Sequence, residues 1–205
     1  MKIKRIDPGF GCSNTYIIFD EKSGEGVMVD PGGFAEKLIA EAAGINIKYI
    51  ILTHAHFDHI GALEKVAQIT GAPVVAYKDE VASLTDVKYN LCSLAGVPEN
   101  RKEADITVSD GETLQVGDVT LKFIHTPGHT KGCMCFFVGE KDLITGDTLF
   151  AGSIGRTDFE GGNFAEMKKS LSRLCELDED VRVYPGHGEE STIGFEEMTN
   201  PYLKL

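Results

Sequence analysis

The chain has 205 residues, enough for one domain with a full core, and 42% apolar and 25% charged residues place it among ordinary globular proteins. A net charge of −12, with Lys and Arg scattered, excludes nucleic acid as a partner, and no apolar stretch approaches a membrane span. Five cysteines (Cys12, Cys92, Cys133, Cys135, Cys175), odd in number and without a CxxC pair, read as reduced thiols, with Cys133 and Cys135 packed in a core. The start Met1-Lys2-Ile3-Lys4-Arg5-Ile6 carries no apolar leader segment. The expectation is a cytoplasmic protein acting on a small-molecule substrate, with no nucleic-acid or membrane partner.

In chain order, Thr15 to Asp20 is β-branched and aromatic, and a turn at Glu21 to Glu25 separates it from Gly26 to Asp30, which predicts a hairpin. Asp30-Pro31-Gly32-Gly33 ends the second strand; Phe34 to Ala43 carries helical spacing and Gly44 stops it. A strand at Ile47 to Thr53 is followed by a helix at Ile60 to Thr70, a strand at Pro73 to Tyr77 and a short helix at Asp79 to Leu84. Residues 86–104 carry mixed signals and read as an insertion or a lid.

Further strands are predicted at Ile106 to Val108, Thr113 to Val116, Val119 to Thr126, Cys133 to Val138 and Asp142 to Thr145. A glycine-rich loop, Ala151 to Phe159, precedes a helix from Phe164 to Leu177 and a last strand at Val181 to Tyr184. Each half therefore follows one plan: a hairpin ending in aspartate, a helix, then a strand ending in histidine. Asp30 and His54 mark the plan first, and Asp147 and His187 mark it again, as an internal duplication would. The pattern predicts a single α/β domain over residues 1–205, with two sheets face to face and helices outside.

Residues 53 to 59, Thr-His-Ala-His-Phe-Asp-His, concentrate the chemistry. Alternate side chains of extended chain share a face, so His54 and His56 can converge on one point while Asp58 and His59, entering a helical turn, reach a second. Later strand ends supply His129, Asp147 and His187. His54, His56 and His129 then make one site, Asp58, His59 and His187 another, and Asp147 can bridge them. Five of the six histidines are used. The sixth, His125, reads as a supporting or partly buried residue. Nitrogen and oxygen donors without thiolate suit Zn²⁺, Mn²⁺ or Fe²⁺ alike. Two divalent ions would outweigh the charges of Asp58, Asp147 and a hydroxide, leaving a cationic site in an acidic protein.

The motif His54-Ala55-His56-Phe57-Asp58-His59, with His129, Asp147 and His187 at later strand ends, resembles the metallo-β-lactamase superfamily. That resemblance implies a four-layer αββα sandwich of two mixed sheets. Gly146-Asp147-Thr148-Leu149-Phe150, followed by Gly152-Ser153-Ile154-Gly155-Arg156-Thr157-Asp158-Phe159, is similar to the glyoxalase II group, the hydroxyacylglutathione hydrolases, and to their short single-domain relatives. Glyoxalase II enzymes also carry a C-terminal helical domain with basic contacts to glutathione. Here 18 residues follow His187, with a short helix expected at Thr192 to Met198.

The implied activity is binuclear hydrolysis of a thioester or related small acyl ester by a metal-bridging hydroxide, with two divalent ions as cofactors and Zn²⁺ foremost among Zn²⁺, Fe²⁺ and Mn²⁺. Asp58 is the expected catalytic residue, orienting the hydroxide and accepting its proton. Arg156 reads as a substrate-carboxylate contact or as the partner of Asp158 or Glu160. Asp30 reads as the hydrogen-bond partner of a ligand imidazole or as a helix cap. The Arg156 loop equally resembles the persulfide dioxygenases, so the alternative is a mononuclear Fe²⁺ site of two of His54, His56 and His129 with Asp147. A non-catalytic binding module on the same fold is the third class.

Overall fold

The computed structural model describes residues 1–6, 9, 11 and 13–204, and Cys12 lies outside them. The chain divides into two compact units, residues 1–108 with 115–119, and residues 109–114 with 120–205.

In the first unit a six-stranded sheet runs in the order β1 (Lys2–Ile6), β2 (Thr15–Phe19), β3 (Glu25–Val29), β4 (Asn46–Ile51), β5 (Val74–Tyr77), β6 (Ile106–Val108). Pairs β1–β2 and β2–β3 are antiparallel and the remaining pairs parallel. Strand β1 has no counterpart among the predicted elements. Its exposed Lys2 and Lys4 mark a charged edge strand rather than an apolar run. Helices α1 (Ala35–Glu41) and α3 (Leu63–Thr70) are the crossovers between parallel neighbours. Their Leu38, Leu63 and Val66 pack with Met28, Ile50 and Val74 of the sheet in one buried cluster.

The predicted helix at Ile60 to Thr70 is broken. A single turn, α2 (Phe57–Ile60), precedes α3, and between them the Ala62 N–H donates to the Pro31 carbonyl at 2.8 Å. The predicted helix at Asp79 to Leu84 is a 3₁₀ turn, Val81–Thr85. Residues 86–104 hold one short helix, α4 (Cys92–Ala95).

The second unit comprises β7 (Thr113–Val116), whose last two residues and the following turn belong to the first unit, then β8 (Val119–His125), β9 (Met134–Val138), β10 (Asp142–Gly146), β11 (Leu149–Phe150), β12 (Ser153–Ile154), α5 (Phe164–Leu174), β13 (Arg182–Pro185), β14 (Ser191–Thr192) and α6 (Ile193–Thr199). Its sheet order is β14-β13-β10-β9-β8-β7, with β10 and β13 parallel. Helix α5 starts at Asn163, whose Oδ1 accepts the Ala165 and Glu166 N–H groups at 2.9 and 3.2 Å. Its Met167, Leu171 and Leu174 pack against Ile124, Leu143 and Val183.

The glycine-rich loop contains a small antiparallel ribbon, β11–β12. The common plan recurs inside each unit: hairpin β2–β3, helix α1 and parallel strand β4 in one, and hairpin β9–β10, helix α5 and parallel strand β13 in the other. Among the described residues no helix is long and apolar enough to cross a membrane.

Candidate metal centre

Strand β4 ends at Ile51, and the chain runs through a bend at Thr53 to His56 before α2 begins. His54, His56 and His59 are buried, at 0%, 3% and 0% exposure, and Asp58 is half-buried. The turn is fixed by its backbone. The Phe57 N–H donates to the Asn90 carbonyl at 2.8 Å, and the Asp58 carbonyl accepts the Ser13 N–H at 3.1 Å and the Ser13 hydroxyl at 3.0 Å. Gly32 presses on the same carbonyl so closely that a Cβ there would stand 1.6 Å from its oxygen. No other residue fits at position 32.

Asp30 organises the donors behind this turn. It follows β3 at φ 48°, a left-handed conformation that costs a non-glycine residue energy. Its main chain is anchored on both sides, the N–H donating to the Ile51 carbonyl at 3.0 Å and the carbonyl accepting the Thr15 hydroxyl at 2.7 Å. Oδ1 accepts the Thr53 N–H at 2.8 Å, while Oδ2 accepts the Thr53 hydroxyl at 2.6 Å and lies 2.9 Å from His59 Nδ1. Helix α1 takes no side-chain cap. Asp30 is thus a partner of His59 rather than a cap.

These bonds assign the ring tautomers. A carboxylate only accepts, so His59 carries a proton on Nδ1 and turns Nε2 outward as the nitrogen a metal would take. The Thr53 hydroxyl gives its hydrogen to Asp30 and is left to accept from His54 Nδ1 at 3.2 Å, which makes His54 Nε2 a lone-pair donor as well. His54 Nε2 stands 3.2 Å from His56 Nδ1. Two nitrogens on one tetrahedral Zn²⁺ at about 2.0–2.1 Å would stand about 3.3 Å apart, so this pair is spaced to share an ion. Asp58 Oδ2 is 3.8 Å from His59 Nε2. Glu80, which the sequence does not single out, accepts the Ala55 N–H at 2.9 Å between the two histidines.

Residues 86–104 are tied to this turn. Besides the Asn90–Phe57 bond, the Asn90 and Asn100 amides both donate to the Leu84 carbonyl, at 3.0 and 2.8 Å, and the Arg101 N–H donates to Glu64. The segment encloses a cavity of about 490 Å³ whose walls include Phe57, Asp58, Lys65, Cys92, Val97 and Asn100.

In the second unit the ligand-type residues come from separate strand ends. His129 follows β8 in the turn Pro127-Gly128-His129, Asp147 follows the left-handed Gly146 (φ 48°) at the end of β10, and His187 follows β13. The Gly186 N–H donates to the Gly146 carbonyl at 2.8 Å, which ties two of these ends together. His129 Nε2 and His187 Nε2 lie 3.4 and 3.6 Å from Asp147 Oδ2. His129 Nδ1 meets the Arg156 carbonyl at 2.6 Å. Since a carbonyl only accepts, Nδ1 carries a proton, which leaves Nε2 as the nitrogen a metal would take. Gly155 makes this approach feasible, because a Cβ there would stand 1.9 Å from the Asp147 carbonyl oxygen.

Two singled-out side chains lie apart from this group. The Arg156 guanidinium makes a bidentate pair with Asp158 at 2.6 and 2.7 Å and lies over the Phe159 ring at 3.8 Å; the pairing raises the Arg156 pKa and lowers that of Asp158. Its carbonyl is the atom bonded to His129. His125 Nε2 is 3.1 Å from the Lys131 carbonyl. Cys133 and Cys135 are buried, and burial pushes the Cys135 thiol up to about 11, too high to serve as a thiolate.

Imidazole nitrogens with assigned lone pairs, spaced for a shared ion and accompanied by carboxylates, fit a divalent metal. Comparison with known proteins agrees. The family model of the metallo-β-lactamase superfamily matches residues 8–187. The hydroxyacylglutathione hydrolase GloC of Haemophilus influenzae is 34% identical, over 93% of this chain and 92% of its own. Among solved structures, BLEG-1 B3 metallo-β-lactamase is 37% identical with a TM-score of 0.94, covering both chains fully. ETHE1 from Myxococcus xanthus is 28% identical with a TM-score of 0.79, over 98% of this chain and 84% of its own. The family match and the likeness to GloC support a metal-dependent hydrolase. With its His and Asp residues, its two mixed sheets and a family match over most of its length, the chain belongs to the metallo-β-lactamase superfamily.

Proposed function

We propose that the protein is a binuclear metallohydrolase that cleaves a thioester, or a related small acyl ester, of the hydroxyacylglutathione type. In this reading residues 1–205 act as one domain. His54, His56 and His129 would hold one ion, Asp58, His59 and His187 the other, and Asp147 both. The observation that carries the reading is the tautomer assignment. His59 and His129 each commit Nδ1 to an oxygen acceptor, Asp30 Oδ2 at 2.9 Å and the Arg156 carbonyl at 2.6 Å, which prepares Nε2 of both rings as ligands. Zn²⁺ is the first choice of metal, and Fe²⁺ or Mn²⁺ would accept the same donors.

Bound divalent ions would acidify water and polarise the scissile carbonyl. The chain supplies the rest. Asp58, held by Ser13 and Gly32, orients the attacking water and takes its proton, and buried imidazoles keep bulk solvent away. A thiolate leaves without a strong general acid, since thiol pKa values lie near 8.5. The substrate is a small molecule, and the acidic surface favours neither nucleic acid nor membrane. Cytoplasmic placement fits the thiol content. The likeness to GloC supports the thioester, and that to ETHE1 supports the runner-up, a mononuclear Fe²⁺ dioxygenase.

Elemental analysis of protein purified without added metal, beside His187→Ala, separates the two. About two metals per chain, falling towards one in the variant, with turnover of S-lactoylglutathione, is the expected result. A single iron per chain, unchanged by the substitution, with oxygen uptake on glutathione persulfide, would replace the hydrolase with the dioxygenase.

A further inference from the structure

We infer that Glu196, together with Asn200, is a positioning residue for the metal centre, acting through the β11–β12 ribbon; this rests on the metallohydrolase reading. Glu196 is completely buried on α6, at 0% exposure, where a carboxylate is costly unless hydrogen-bonded. Its bonds reach out to other segments. Oε2 accepts the Gly152 N–H and the Asn200 side-chain amide, each at 2.8 Å, and Oε1 accepts the Ser191 hydroxyl at 2.5 Å. The same Asn200 amide, also fully buried, donates to the Ser153 carbonyl at 3.0 Å and more weakly to the Phe150 carbonyl at 3.4 Å. Together the two side chains grip both strands of the ribbon and the turn between them.

The ribbon and the two residues that follow it reach His129, Asp147 and His187. It begins two residues after Asp147. Phe150 meets the His187 ring edge-on, with centroids 5.8 Å apart. Past its far end, Gly155 lies against the Asp147 carbonyl, and the Arg156 carbonyl accepts a hydrogen bond from His129 Nδ1 at 2.6 Å. A two-residue ribbon has little core of its own, and isolated short hairpins are marginal in water. The buried Glu196–Asn200 pair supplies the missing anchor, so the orientation of His129 depends on a carboxylate that touches neither metal nor substrate.

The test uses the full chain, with Glu196→Ala, Glu196→Gln and Asn200→Ser, and Leu38→Ala as a variant that loosens the core of the other unit. Two quantities are read: protection of the His129 Nδ1 proton by NMR in metal-free protein, and Zn²⁺ affinity by competition with a chromophoric chelator. Glu196→Ala and Asn200→Ser are expected to expose the imidazole proton to exchange and to weaken Zn²⁺ binding about 10-fold or more. Glu196→Gln, which still offers Gly152 and Asn200 an acceptor, retains both properties. Leu38→Ala lowers the Tm and leaves both in place. Unchanged proton protection and affinity in Glu196→Ala, or equal losses in Leu38→Ala, would overturn the inference. If Glu196→Ala fails to fold, Asn200→Ser decides. If the wild type takes up no metal, the metallohydrolase reading fails, and the proton measurement alone still decides the role of Glu196.

Discussion

The two units prepare their imidazoles with different balances of side chain and main chain. In the first, four ligand-type residues fall within residues 54–59, and buried side chains set them: Asp30 accepts from Thr53 and His59, and Glu80 holds Ala55. In the second, His129, Asp147 and His187 come from three strand ends and are set largely by main chain: the Arg156 carbonyl, the Gly155 contact and the Gly186–Gly146 bond. A contiguous motif is short enough for a few neighbouring side chains to orient it. Dispersed residues instead need close backbone approach, which the absence of side chains makes feasible. The same ββαβ plan therefore carries two mixtures of support: buried carboxylates set the first unit's imidazoles beside a close backbone contact at Gly32, while main-chain contacts hold those of the second directly.

The largest effect should come from Asp30→Ala. It strands three buried donors at about 1–3 kcal/mol each, so denaturant unfolding should show several kcal/mol lost and Zn²⁺ affinity should fall about 10–100-fold. A variant that kept its affinity would mean that side chains do not govern the first unit's histidines. Gly155→Ala comes next. Its new Cβ, 1.9 Å from the Asp147 carbonyl, must push the backbone apart, costing about 1–3 kcal/mol and weakening metal binding; unaltered metal content would remove the close approach from the account. Arg156→Ala is the smallest, because the carbonyl that holds His129 survives the substitution and the exposed ion pair with Asp158 is worth little. Stability and metal affinity should stay at wild-type level. A rise in KM alone would give the guanidinium a substrate contact, while loss of metal would show that the side chain holds the loop.

The metal motif was legible because it is dense. His54, His56, Asp58 and His59 follow an apolar strand at a spacing that extended chain and one helical turn convert into converging donors. Asp147 and His187 were legible through the repeated plan, each standing where the matching strand of the first half ends. The supports were less visible. Asp30 was equally readable as a cap, and only the bond to His59 Nδ1 and the lack of a side-chain cap on α1 decide it. Arg156 drew attention for its charge, whereas the atom that meets a ligand-type residue is its carbonyl. Every residue has a carbonyl, so no residue type announces that role.

By itself the sequence determined the α/β class, most strands and which residues are candidate donors, since hydrophobic period and imidazole spacing are local properties written in residue identity. Tertiary structure decided the break between α2 and α3, edge strand β1, the β11–β12 ribbon and the burial of Glu80 and Glu196. Those features depend on which distant backbone group comes within hydrogen-bond reach. Pro31 meets Ala62, Asn90 meets Phe57 and Gly152 meets Glu196, and such meetings are set by packing across tens of residues, with no local pattern to signal them.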